Sequence, residues 1–144
     1  MKTKSPGSPP IEAEITAAFK ALVDASLALD CARYFDLIDT EKFTGLSADG
    51  KAWHCAQELE DLIASGFSMI EKILSLEFFN VKVTVINPTT AILVNEYKQS
   101  ILLKDQTIVH QAGGGTQVWS RSDNLWKLVS ISASDASPRN EAVF

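Results

Sequence analysis

Histidine and cysteine are scarce in this chain, which contains two of each among its 144 residues. Cys31 and Cys55 form neither a CxxC pair nor any other spacing that zinc sites use. His54 precedes Cys55, but adjacent side chains on a strand point to opposite faces. The sequence therefore predicts no metal site and no cofactor, and we interpret both cysteines as buried free thiols.

Long apolar runs and clustered positive charge are missing as well. No stretch of about 18 apolar residues occurs, so no membrane span is predicted. The net charge is −5 and the 13 lysines and arginines are scattered, which argues against nucleic acid as a partner. Charges such as Glu12 and Glu14 interrupt the first apolar segment, so we expect no secretion signal and a cytoplasmic protein.

The composition is that of one globular domain, with 46% hydrophobic and 22% charged residues. Residues 1–10 are rich in proline, serine and lysine, and residues 136–144 are mostly polar. We therefore expect a flexible arm at residues 1–10, one folded domain at 11–135 and a loose tail at 136–144.

Apolar residues recur at helical spacing through the first half of the chain. Ser8 and the two prolines after it suit a helix start, and the first helix continues to about Leu29. Asp30 is predicted to end that helix and to cap a second, shorter one. The same period from Leu59 to Leu74 predicts a third helix.

The period changes to two from Glu77 onward, which predicts strands near residues 79–85, 91–103, 107–121 and 125–134. A short hairpin is also expected around Asp49-Gly50, before the third helix. Helices followed by a run of antiparallel strands indicate an α+β domain. Three glycines at 113–115 lie inside a predicted strand, so we expect a bulge or sharp bend there and not a phosphate loop.

These elements resemble the NTF2-like superfamily, which includes the SnoaL-like polyketide cyclases and the association domain of calcium/calmodulin-dependent kinase. Residues 116–129, Thr-Gln-Val-Trp-Ser-Arg-Ser-Asp-Asn-Leu-Trp-Lys-Leu-Val, are similar to the closing hairpin of that family. Residues 27–30 resemble the break between its first two helices, and residues 85–88 resemble its first long turn. The likeness covers about residues 11–135.

The resemblance implies a cone-shaped, cystatin-like fold, with about three N-terminal helices packed on a curved, antiparallel-rich sheet. The helices and the concave face of that sheet would enclose an apolar pocket. The outer face often forms a dimer in the family, so a homodimer is expected. Enzymes, carriers and assembly modules all use this fold, and fold alone does not determine function.

The acid and base residues of the family's steroid isomerases have no counterparts in this sequence. By resemblance, the three positions fall at Leu22, at Gly45 or Leu46, and at Thr116. Related sequences often carry His-x-His after the Trp-Lys strand, where this chain has Ser130 and Ser132. Without those imidazoles, the strand lacks acid/base groups that titrate near neutral pH.

His110 is the best catalytic candidate that remains, with Tyr34, Tyr97 or Glu96 as possible partners. A lone histidine on a strand is more often a hydrogen-bonded structural residue, and the sequence does not show which strand faces are concave. The candidate pocket residues are Phe19, Leu22, Tyr34, Trp53, Tyr97, His110, Thr116 and Val118.

Three functions follow as hypotheses. The first is a pocket protein that binds a small apolar or aromatic metabolite, because the fold encloses a pocket and the acid/base set is missing. The second is a cyclase, isomerase or dehydratase that uses His110. The third is an assembly module that dimerises through its sheet.

Overall fold

The computed structural model describes residues 8–136. The helices and strands are α1 Ser8–Leu27, α2 Cys31–Asp36, β1 Thr44–Leu46, β2 Ala52–Trp53, α3 Ala56–Met69, β3 Ile70–Asn87, β4 Thr90–Leu103, β5 Ile108–Ser122 and β6 Leu125–Asp135. The first helix begins inside the predicted arm. The rest of that arm, residues 1–7, and tail residues 137–144 lie outside the described part of the chain.

The six strands form one curved sheet in the order β2-β1-β6-β5-β4-β3. All neighbouring strands are antiparallel except β1 and β6, which are parallel. The predicted α+β class and the predicted order of helices before strands are confirmed. None of the helices in residues 8–136 is long and apolar enough to cross a membrane.

The junction between α1 and α2 has the predicted cap. Leu29 adopts a φ of 53°, a left-handed conformation that stops α1. The backbone N–H of Asp30 then donates to the carbonyl of Ala25 at 2.9 Å. The Asp30 carboxylate accepts a hydrogen bond from the backbone N–H of Arg33 at 3.1 Å, which satisfies one of the free donors at the start of α2.

The predicted end of the third helix is wrong. Helix α3 ends at Met69 and strand β3 begins at once, with extended backbone at Ile70. The pairing of β3 with β4 shifts between Ile70 and Lys72 and again between Ile73 and Ser75. Because of these bulges, Ile70, Ile73 and Leu76 all face the helices at a spacing of three, which imitates a helical pattern.

Side chains at odd-numbered positions of β4 and β5 face the helices, and the even-numbered ones form the outer, convex face. At one end of the concave face, Leu93 and Trp119 are completely buried against the helices. The largest fully buried side chains of the core are Trp119, Phe43, Ile15, Leu59, Leu93 and Leu128.

The three glycines of β5 allow strands to approach closely. The predicted bulge there is wrong, since β5 pairs with β4 without a register shift through Gly113–Gly115. The register shift along β5 occurs instead in its pairing with β6, between Val118 and Trp119, where Val129 of β6 is the extra residue. A Cβ atom on Gly113 would lie only 1.9 Å from the carbonyl oxygen of Ser134, so any side chain there would force β6 away.

Both cysteines are free thiols, but their predicted burial is wrong. Cys31 is partly exposed and Cys55 is exposed. The reason is their position at surface helix starts: Cys31 is the first residue of α2, and Cys55 directly precedes α3.

Replacing Gly113 should destabilise the protein, because the clash is with backbone that cannot rotate away. We expect Gly113→Ala to lower the free energy of unfolding by about 1–3 kcal/mol. The matched control is Gly66→Ala in α3, where a Cβ meets no atom within 4 Å. That variant should be more stable by about 0.5–1 kcal/mol. Urea denaturation of both variants checks this, and equal effects would contradict the close approach of β5 and β6.

Candidate functional site

An apolar cavity of about 260 Å³ lies between the concave face of the sheet and the helices. It begins where the packed core of Leu93 and Trp119 ends. Its apolar wall consists of Phe19, Leu22, Val23, Ile63, Phe67, Ile70, Ile73, Leu76, Phe78, Ile101, Ile131 and Ala133.

Two buried amide side chains interrupt this apolar wall. Asn95 on β4 and Gln117 on β5 are 9% and 6% exposed, and they are the two buried polar residues in the described part of the chain. Both lie next to the core, since Gln117 pairs with Leu93 across the two strands. Buried polar groups need hydrogen-bond partners, so these two residues mark the inner end of the cavity as a polar contact point.

The orientation of the Gln117 amide is set by Trp119. The indole N–H of Trp119 donates to Oε1 of Gln117 at 2.9 Å. An indole can only donate, so the amide oxygen must face it and the amide nitrogen must point the other way. Nε2 of Gln117 bonds to none of the described residues. Every fully buried polar side-chain atom of those residues has a hydrogen-bond partner, so Nε2 is not fully buried. The amide nitrogen is therefore accessible from the cavity.

Two tyrosines contribute phenolic hydroxyl groups to the wall, which also contains Ser26 and Ser132. Tyr34 on α2 is buried, and its ring packs edge-on against Phe35 and Phe67. Burial raises the pKa of Tyr34 to about 12. Tyr97 on β4 lies beside Phe78, and burial, followed by the charge of Asp135, raises its pKa. Both hydroxyls are therefore neutral at physiological pH.

The described residues that line the cavity carry no formal charge, because no aspartate, glutamate, lysine, arginine or histidine is among them. Within the same residues, no three histidine, cysteine, aspartate or glutamate side chains cluster as a metal ion requires. The cavity can accordingly offer hydrogen bonds and apolar contact, and the two tyrosines are its titratable groups.

Four of the predicted pocket residues line the cavity, and four do not. Phe19, Leu22, Tyr34 and Tyr97 belong to the wall. Trp53 packs instead against Phe43 in the core, with the ring centroids 6.3 Å apart. The other three are His110, Thr116 and Val118, which occupy even positions of β5 and so face outward.

His110 lies on the outer face with one of its predicted partners but away from the others. Its Nδ1 is 2.7 Å from the hydroxyl oxygen of Ser100, the residue opposite it on β4. Glu96 is on the same outer face, where it accepts a hydrogen bond from Asn80. Tyr34 and Tyr97 line the cavity on the other side of the sheet, so these four residues are not brought together.

Sequence reasoning missed Asn95 and Gln117 as site residues. Alternation grouped the strand residues correctly by face but left the concave face undecided. A signal was available in Trp119, the largest apolar residue of β5, which a half-buried sheet is expected to turn inward. Counting back by two from Trp119 gives Gln117 on the same face.

The buried Tyr34 hydroxyl should make stability depend on pH in the alkaline range. The folded-state pKa of about 12 exceeds the ordinary value of about 10, so the neutral form is favoured by folding. Stability is fully present below pH about 10 and falls by about 2–3 kcal/mol as pH approaches 12. In Tyr34→Phe this fall should be absent from the free energy of unfolding. Parallel pH profiles for both proteins would contradict the burial of the hydroxyl.

Comparison with known proteins supports the family resemblance. A family model described as a SnoaL-like domain matches residues 15–138. A search of curated proteins finds no match.

Several solved structures have the same fold. An NTF2-like superfamily protein from Salmonella enterica has a TM-score of 0.77 and 17% identity, covering 94% of this chain and 96% of its own. A ketosteroid isomerase-like protein from Erwinia carotovora gives 0.75 and 17%, with coverages of 88% and 96%. The association domain of C. elegans CaMKII gives 0.73 and 18%, with coverages of 90% and 99%.

At these identities the structural matches establish the fold alone. The family match is of a different kind, because it spans more than half of the sequence, from the first helix through the last strand. The resemblance to the NTF2-like superfamily is confirmed, and the chain belongs to the SnoaL-like domain family.

Proposed function

We propose that this protein binds one small, uncharged, largely apolar molecule in the cavity of the cone. The observation that carries the proposal is the pair Asn95 and Gln117, two buried amides in a wall that is mostly apolar. Apolar surface with a few fixed polar groups is the usual composition of a small-molecule site, where the polar groups orient the ligand.

The proposed ligand is neutral because the wall offers nothing to balance a charge. Transferring an ion from water into an apolar site is costly unless an opposite charge accompanies it. The described wall residues carry no formal charge, and burial keeps the hydroxyl of Tyr34 protonated up to high pH.

The volume limits the size of the ligand. An apolar cavity of about 150 Å³ binds benzene, and drug-sized ligands occupy pockets of roughly 300–1,000 Å³. The cavity here, at about 260 Å³, falls between the two. A ligand of one substituted ring, or of two small rings, fits this range.

The position of His110 argues against a catalytic role for this residue and supports binding as the function. One structure with the same fold, a hexachlorocyclohexane dehydrochlorinase, is an enzyme, but it is only 12% identical to this chain. A catalytic group must reach the atoms that react. His110 faces outward beside Ser100, whereas the proposed ligand would lie against Gln117 on the opposite face of the sheet.

Filling the cavity should abolish binding. Val23 lies on α1 in the cavity wall, and we expect Val23→Trp to weaken binding of a one-ring hydrocarbon probe such as α-methylstyrene by at least tenfold. The control is His110→Ala on the outer face, which should leave affinity unchanged. NMR titration of both variants provides the measurement. A loss of affinity in His110→Ala would bring the histidine back into the site.

We further propose that the protein is a homodimer through the outer face of the sheet. Val94 and Ile108 are large apolar residues on that face and are 39% and 52% exposed. Exposed apolar side chains on a sheet face favour association, because contact with a second copy removes them from water.

A charge on the outer face should separate such a dimer. Val94→Arg is expected to shift the mass in solution toward the monomer, since two copies would bury like charges together. Leu62→Arg is the control, because Leu62 is also exposed but lies on α3. Sedimentation velocity compares the two variants, and a Val94→Arg protein that remains dimeric would exclude this face as the interface.

A further inference from the structure

The fixed orientation of Gln117 gives the cavity a chemical preference. Most amide side chains can present either their oxygen or their nitrogen to a ligand, because the two ends have nearly the same shape. Gln117 cannot do so without leaving the indole N–H of Trp119, which is completely buried, without an acceptor. Leaving a buried donor unsatisfied costs about 1–3 kcal/mol, so the amide nitrogen is the end that faces the cavity.

The other amides of the wall are not fixed in this way. The amide nitrogen of Asn95 lies 3.5 Å from the carbonyl oxygen of Glu96, at the limit of a hydrogen bond. Gln99 bonds to Gln111, and in such a pair both amides can rotate together and exchange their roles. Gln117 is therefore the wall amide whose direction is determined by a partner that can only donate.

We propose that the ligand of this cavity is an uncharged carbonyl compound, such as a ketone or an amide, whose oxygen accepts a hydrogen bond from Nε2 of Gln117. The inference rests on the proposed function, because it assumes that the cavity is the binding site. It adds the polarity of the contact: an acceptor oxygen belongs at the inner end, next to Trp119, and the apolar part of the ligand extends along the wall.

A hydrogen-bond acceptor fits this point better than a hydrocarbon or a bare donor. A hydrocarbon leaves the amide nitrogen without a partner after water has been displaced. A ligand group that can only donate would face the N–H groups of Gln117, which also only donate, and would form no hydrogen bond there. The hydroxyl of Tyr34 does not oppose the acceptor, because a hydroxyl group can donate as well as accept.

Two probes of nearly the same shape separate these possibilities. Acetophenone carries a carbonyl oxygen where α-methylstyrene carries a CH₂ group. The affinities of both are measured by NMR titration for the unmodified protein, for Gln117→Met and for Gln57→Met. Methionine keeps the length and approximate volume of glutamine but removes both amide groups. Gln57 is an exposed glutamine on α3 that bonds to Asp61, and neither residue lines the cavity, so it is the matched control.

The expected result is a change in the affinity ratio of the two probes. The preference for acetophenone should fall by about threefold to tenfold in Gln117→Met, the usual size of one hydrogen bond, and should be unchanged in Gln57→Met. The side-chain amide resonance of Gln117 in the unmodified protein should move with acetophenone and much less with α-methylstyrene. This second readout needs no variant and therefore does not depend on Gln117→Met folding.

Two results would overturn the inference, and they have different meanings. If both probes bind, with the same ratio in Gln117→Met and the same effect on the amide resonance, Gln117 does not select a carbonyl, although the cavity still binds small molecules. If neither probe binds to the unmodified protein, the proposed function fails together with the inference.

Discussion

Strict alternation of side chains along β4 and β5 is the constraint on which the rest of the structure depends. Once Trp119 points toward the helices, every second residue of β5 must point the same way. Because paired residues of two strands share a face, the register also determines which residues of β4 point inward. Leu93, Asn95, Tyr97 and Gln117 then face inward together. His110 is placed on the outside by the same rule, because a one-residue difference in phase reverses the face.

The cavity exists because packing stops along the inward face of these strands. Between Leu93 and Tyr97 the concave face of β4 changes from completely buried aliphatic side chains to polar and half-buried ones. On β5 the equivalent stretch contains Gly113 and Gly115, which add no volume. Gly113 lets β6 approach closely at Ser134, and Gly114 and Gly115 line the cavity without adding side chains to it.

Sequence predicted the features that depend on local chemistry. The cap by Asp30, the hairpin between β1 and β2, and the succession of helices and strands were all predictable, because each depends on neighbouring residues. The end of α3 was not, since bulges in β3 reproduce a helical spacing. The concave face was not predictable from alternation alone, because both faces begin with apolar residues. For this reason Thr116 and Val118 were predicted to line the pocket, although they lie on the outer face.

An open cavity next to a well-packed core weakens the fold, since its walls lose contacts that a filled core would provide. Single substitutions could fill part of the space, and the buried amides could be replaced by apolar residues of similar volume. Such changes are among those that commonly stabilise proteins, and their recurrent cost is the loss of a function that needs the destabilised site. Gln117 illustrates the point: a leucine would pack in the wall but would orient nothing. A bound carbonyl compound would use both features that stability alone does not require, the hollow and the amide nitrogen that faces it.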